Sequence, residues 1–141
     1  MQPAVLRPIE DAATDIRRGL TVRLHSASFR DYKWSPHLGI VVSVEWVGLF
    51  SVQIVGLDLF VYYNESEIGP LAPLPGPKIL RPPSDGILVR LRKDLYPDLV
   101  TELRRQDRGP AYVWVRGMLT LDAPAFDGLL EYPLDMRGEL K

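Results

Sequence analysis

Leu38-Gly39-Ile40-Val41-Val42-Ser43-Val44-Glu45-Trp46-Val47 is the stretch that decides the fold. In it Leu38, Ile40, Val42, Val44 and Trp46 alternate with Gly39, Val41, Ser43, Glu45 and Val47. A period of two gathers one apolar face only if the chain is extended; a helix would scatter the same residues around its circumference. Val41 adds an apolar side chain to the second face, so the first half of this strand is expected to be covered on both sides. The same rhythm continues outward in both directions. Upstream, Leu20, Val22 and Leu24 alternate with Thr21, Arg23 and His25. Downstream, Gly48 and Gly56 punctuate a short strand over Phe50–Ile54 and a further one in which Leu57, Leu59, Val61 and Tyr63 alternate with Asp58, Phe60, Tyr62 and Asn64. Ile87, Val89 and Leu91 then alternate with Arg90 and Arg92. Val113, Val115, Leu119 and Leu121 oppose Tyr112, Trp114, Arg116, Met118 and Thr120, and Leu130, Tyr132 and Leu134 carry the pattern on to Leu140. β-branched and aromatic residues dominate these runs, as a pleated surface prefers.

One segment changes period. Leu95, Leu99 and Leu103 are spaced by four and form an apolar stripe. Asp94 is placed to cap the N-terminus, and Pro97 falls in the first turn, where its missing N–H costs nothing. Arg104, Arg105 and Arg108 sit at the favourable end of the helix dipole, and Gly109 is the expected stop. Between Gly69 and Pro83 lie six prolines, Pro70, Pro73, Pro75, Pro77, Pro82 and Pro83. Each removes a backbone donor, so this segment reads as an extended edge or polyproline-like connection rather than a central strand. Strands throughout with one late helix predict an all-β fold, an antiparallel β-sandwich of about seven strands with one α-helix late in the chain. It occupies residues 20–141. Residues 1–19 precede it as a polar arm or short helix, with Ile9, Ala12, Ala13 and Ile16 on one helical face.

The bulk numbers agree with one domain. A chain of 141 residues with 46% apolar content can bury about two-thirds of its unfolded surface and needs no staple to fold. The absence of cysteine removes disulfides, thiolate metal sites and thiol nucleophiles. A net charge of −1 supplies no field for nucleic acid or anionic lipid as a whole. Met1–Arg18 lacks the apolar run of a signal peptide, and the longest apolar tracts, Gly39–Val44 and Val55–Val61, fall far short of the roughly 20 residues of a membrane span. A cytoplasmic protein is the expectation. With 13 Pro, a single Asn and arginine far outnumbering lysine, the composition suits a hot-living source; a GC-rich genome produces the same bias.

Candidate chemistry is sparse. His25 and His37 stand on separate segments without partners at ligand spacing. Ser26 adjoins His25 but points to the opposite strand face, which works against a catalytic pair. Asp122 with Asp127 and Glu65 with Glu67 flank turns without the alternating oxygens of a calcium loop. Glycine loops for phosphate are missing. No catalytic residue, metal site or cofactor is therefore expected, and the protein is read as not an enzyme. The arginines are more informative. Arg104, Arg105 and Arg108, with Arg90 and Arg92 on the preceding strand, are a candidate contact surface, joined by the loop aromatics Tyr32 and Trp34. Phosphates want such clusters, and Tyr112 and Trp114 offer further faces on which bases stack. Set against this are the overall charge and the dipole-complementing role of arginines at a helix end, so nucleic acid is not the favoured partner.

Three stretches resemble the group 2 late-embryogenesis-abundant proteins, whose module is the WHy (water stress and hypersensitive response) domain. They are Ile54-Val55-Gly56-Leu57-Asp58-Leu59-Phe60-Val61-Tyr62-Tyr63-Asn64, the strand and helix from Ile87 to Gln106, and Val113-Trp114-Val115-Arg116-Gly117-Met118-Leu119-Thr120-Leu121-Asp122 with the hairpin partner Leu129–Leu140. Where members of that family carry an Asn-Pro pair after the early strand, Glu45-Trp46-Val47-Gly48-Leu49-Phe50 stands here. The resemblance implies an immunoglobulin- or fibronectin-III-like sandwich that is not an enzyme and protects under stress through weak contacts with proteins or membranes. It supplies no catalytic residues. A protein client is the expected partner, with the proline-rich segment and the loops at the sandwich ends as contact surfaces. The alternative is a subunit of a larger assembly, including a ribonucleoprotein, that uses the arginine cluster. A homodimer through an edge strand fits either reading.

Overall fold

The computed structural model describes residues 16–64, 66–71, 76–105, 107–123 and 126–141, without side-chain detail for 126–128. Two antiparallel sheets face each other. Their strands are β1 (Leu20–Arg30), β2 (His37–Val47), β3 (Val52–Tyr63), β4 (Ser66–Pro70), β5 (Lys78–Leu80), β6 (Ser84–Asp94), β7 (Tyr112–Ala123) and β8 (Phe126–Glu139), with one helix, α1 (Pro97–Arg104), between β6 and β7. One sheet runs β1-β2-β6 and the other β4-β3-β7-β8, with β5 also paired to β3. This is the expected all-β sandwich with a late helix.

The alternating residues set its core. Leu38, Ile40, Val42, Val44 and Trp46 of β2 are buried, and across the gap so are Val52, Ile54, Leu57, Leu59 and Val61 of β3 and Val113, Val115, Leu119 and Leu121 of β7. Buried as fully as this, each of the larger side chains contributes about 1.5–3 kcal/mol relative to leaving it in water. From α1, Leu99, Val100 and Leu103 close one flank, with Leu95 half-buried against the same cluster.

Among the described residues eight strands stand where about seven were expected, for a local reason. The segments read as two strands either side of Gly56 form the single β3, whose pairing with β7 slips one residue between Ile54 and Gly56. The extra residue, Val55, is exposed, and the bulge restores the inward face on its far side. The proline-rich connection yields two short edge strands, β4 and β5, both on the outer side of β3. Residues 72–75 of that connection lie outside the described part, as do residues 1–15 of the polar arm. Residues 16–19 are helical, with Ile16 completely buried, and run directly into β1.

The helix ends differ from expectation. Asp94 does not cap α1, because β6 stays in register with β2 as far as the pair His37 and Asp94. The N-cap is Tyr96, extended at φ −80° and ψ 159°, without a side-chain cap bond. Pro97 enforces this, since it takes the first helical position and disfavours helical backbone in the residue before it. Nor does Gly109 stop the helix. Arg105 already leaves it in extended conformation, and Gly109, at φ +72°, turns the chain afterwards.

Beyond the end of β8, Leu140 forms a parallel bridge with Ala27. The Phe29 N–H donates to the Lys141 carbonyl at 2.8 Å, and the Lys141 N–H donates to the Ala27 carbonyl at 3.0 Å. Both sheets are thereby joined along the β1/β8 side.

Candidate interaction surfaces

At the end of the sandwich where β1 passes into β2, the loop after Arg30 carries Asp31, Tyr32, Lys33 and Trp34. It is tied to the helix across 73 residues of sequence. Arg104 presents its guanidinium edge to Asp31, Nε at 2.9 and 3.0 Å from the two carboxylate oxygens and Nη2 at 2.6 Å from Oδ1. These bonds hold the Arg104 pKa above its ordinary value. The fork geometry fixes direction as well as charge. Trp34 is 87% exposed and Tyr32 is also exposed. The Lys33 Nζ stands 5.1 Å from the Trp34 ring centre, and Tyr32 lies tilted 5.6 Å from the ring of His37. The fold thus gathers Tyr32, Trp34 and Arg104, three of the side chains expected to act together.

Of the other arginines, Arg105, Arg108 and Arg92 are engaged in short-range contacts. Arg105 donates to Asp107 at 3.2 and 3.3 Å. Arg108 donates to the carbonyls of Leu103 and Gly109 at 3.0 and 3.1 Å, closing the helix end. Arg92 donates to Asp94 at 2.8 Å, which keeps that carboxyl below the usual carboxylate range. Arg90 and Arg92 lie on the outer face of the three-stranded sheet, opposite Val41 and Gly39. Because Gly39 has no side chain, Arg30 of β1 lies across it, at 3.9 Å from where a Cβ would stand. Arg30 is an addition that strand order alone could not reveal. Asp31, Asp94 and Asp107 each set a negative charge against an arginine, so the cluster offers less bare positive charge than its sequence promised.

A second aromatic–cation group occupies the outer face of the larger sheet. Arg137 sits 4.0 Å and Arg116 4.6 Å from the Trp114 ring centre, Tyr62 packs tilted at 6.2 Å, and the Trp114 indole N–H donates to Asp135. Trp114 is paired across the strands with Tyr62 on one side and Arg137 on the other. A groove of about 340 Å³ runs beside it, lined by Tyr62, Asn64, Tyr112, Trp114 and Arg137. Trp114 and Arg116, two apart on one strand, were legible as sharing a face; Arg137 depends on the hairpin register.

His25 and His37 lie on different strands, His25 exposed at a bulge in β1 and His37 donating through Nδ1 to the Ser35 carbonyl at 2.9 Å. Asp122 is half-buried near the end of β7, while the side chains of Asp127 and Glu65 lie outside the described part. Among the described residues, no three histidine or acidic side chains come together as metal ligands. No helix among them is long and apolar enough to cross a membrane.

No family model and no curated protein matches the sequence. Solved structures do match the fold. The solution structure of a provisionally assigned late embryogenesis abundant (LEA) protein aligns with a TM-score of 0.57 at 16% identity, covering 96% of this chain and 82% of that one. A protein of Arabidopsis thaliana, also solved in solution, aligns at 0.54 with 16% identity over 85% of this chain and 80% of its own. A structural-genomics target solved by X-ray aligns at 0.52 with 8% identity over 84% of each chain. At these identities the likeness is one of fold alone.

Proposed function

We propose that this domain is a non-enzymatic, WHy-like protective protein that acts through weak contacts with protein clients in the cytoplasm, without metal or cofactor. The observation that carries this reading is the alignment of nearly the whole chain, 96%, with the LEA structure. The exposed aromatics Tyr32 and Trp34, steadied by the Asp31–Arg104 contact, support it as a surface on which an unfolding client's apolar segments settle. The reading as a subunit of a larger assembly draws less support, since it rested on arginines that Asp31, Asp94 and Asp107 now partly neutralise.

The test is suppression of aggregation. Heated or dried with a labile client enzyme at equimolar dose, the protein is expected to slow light scattering by the client, and Tyr32→Ser with Trp34→Ser is expected to weaken that effect. Scattering that proceeds unchanged in the presence of the native protein would refute the protective role.

A further inference from the structure

At the opposite end of the sandwich the fold leaves apolar side chains bare. The connection from β2 to β3 projects Leu49, which is 95% exposed, and Val47 just before it is 65% exposed. The strand register adds two more at the same end. Ile79 of β5, Gln53 of β3, Asp122 of β7 and Leu129 of β8 form one row across the larger sheet, and both Ile79 and Leu129 are exposed.

The loop bearing Leu49 is pinned. The indole of Trp46, itself buried, donates to the Phe50 carbonyl at 2.9 Å, and its ring packs 5.6 Å from that of Phe50. The Gly48 N–H donates to the Pro83 carbonyl at 2.9 Å. Two glycines permit this closeness: a Cβ on Gly48 would stand 2.3 Å from the Trp46 ring, and one on Gly19 would stand 2.2 Å from the Val47 carbonyl oxygen. Leu49 is therefore held outward on a fixed support instead of folding back onto the core. This is also the segment, Glu45–Phe50, in which the chain departs from the WHy pattern.

Positive charge surrounds the apolar tip. Arg18 lines a groove of about 440 Å³ together with Trp46, Val47, Leu49 and Phe50. Arg81 follows β5, and Lys78 begins it; all three basic residues are exposed. Among the described acids of this end, Asp85 accepts the backbone N–H groups of Arg81 and Gly86 at 3.0 and 2.8 Å, Glu45 pairs with Arg23 at 3.2 Å, and Asp122 is half-buried.

We propose that this end docks on an anionic lipid surface, with Leu49 and Val47 entering the boundary between headgroups and acyl chains and Arg18 and Arg81 meeting lipid phosphates. Apolar tips in front of a basic collar reproduce the layering of a bilayer interface, apolar depth beneath anionic headgroups. A nucleic acid offers no apolar layer for Leu49. A second copy would bring two positive ends together. The proposal is independent of client protection, because lipid association is read without any client.

Cosedimentation with vesicles tests it. The protein is expected to bind phosphatidylcholine vesicles containing phosphatidylglycerol, more weakly as salt rises, and to ignore pure phosphatidylcholine. Leu49→Ser is expected to lower the partition coefficient about tenfold, Arg18→Gln with Arg81→Gln to flatten the salt dependence, and Leu88→Ser, at an exposed apolar residue of β6, to change nothing. Circular dichroism of each variant reports that the fold is retained. Failure to bind anionic vesicles, binding that survives Leu49→Ser, or a Leu49-dependent dimer in sedimentation equilibrium would each overturn it.

Discussion

Tyr63 shows how one side chain senses the fold. It lies at the end of β3, buried against the α1 side of the molecule, and burial, followed by the nearby Glu102 carboxylate, pushes its phenol above the ordinary value of about 10. The folded state thus holds the phenolic proton more tightly than the unfolded chain does. Its contribution to stability is complete below pH 10 and is lost as pH rises through the folded-state value. Urea midpoints measured at pH 9 and pH 11 are expected to fall more for the native protein than for Tyr63→Phe; equal falls would remove Tyr63 as the cause. Arg104 and Asp31 are a different case. Both side chains are nearly half exposed, so water screens the pair and it adds little to stability. Its consequence is positional: it sets where Tyr32 and Trp34 stand.

Among the elements, β3 and β7 approach each other closely at Gly117. Gly117 lies opposite Leu59, and a Cβ there would fall 1.9 Å from the Asp58 carbonyl oxygen. That neighbour is backbone, so no rotamer change can relieve the overlap. Gly117→Ala is expected to cost about 3 kcal/mol, read as a lowered denaturation midpoint, whereas Gly76→Ala, with open space around it, should leave the midpoint almost unchanged. The sequence showed Gly117 interrupting an apolar face without showing why. Alternation along a strand names its inward residues, and those of β2, with all of β7 but Ala123, were legible. What lies across from them is set by register, and register depends on the partner strand. For the same reason Trp114 was visible as an aromatic on a polar face, while its stacking by Arg137 was not. Helix α1 was legible from its leucine spacing; its cap was not, because Asp94 had a stronger claim on it from the ladder to β2. The arginine cluster was legible as charge, but the aspartates that temper it, above all Asp31, are distant in sequence.

The molecule as a whole has two dissimilar ends, aromatic and ion-paired where β1 meets β2, apolar with a basic collar where β2 meets β3. A net charge of −1 conceals that polarity, so composition alone showed no overall field toward lipid. Its two flanks differ as well. On one, Lys141 hydrogen-bonds to Ala27 and Phe29 of β1, beside the bridge between Leu140 and Ala27. These contacts act as the spine of a book, and the covers, one sheet each, can part only from the fore-edge where β6 faces β4 and β5. Thermal breathing should then start on that side and travel inward. Amide exchange followed by NMR is expected to leave Phe29 and Lys141 protected long after the outer edge of β6 has exchanged; simultaneous exchange at both flanks would mean that the binding at the spine carries no weight.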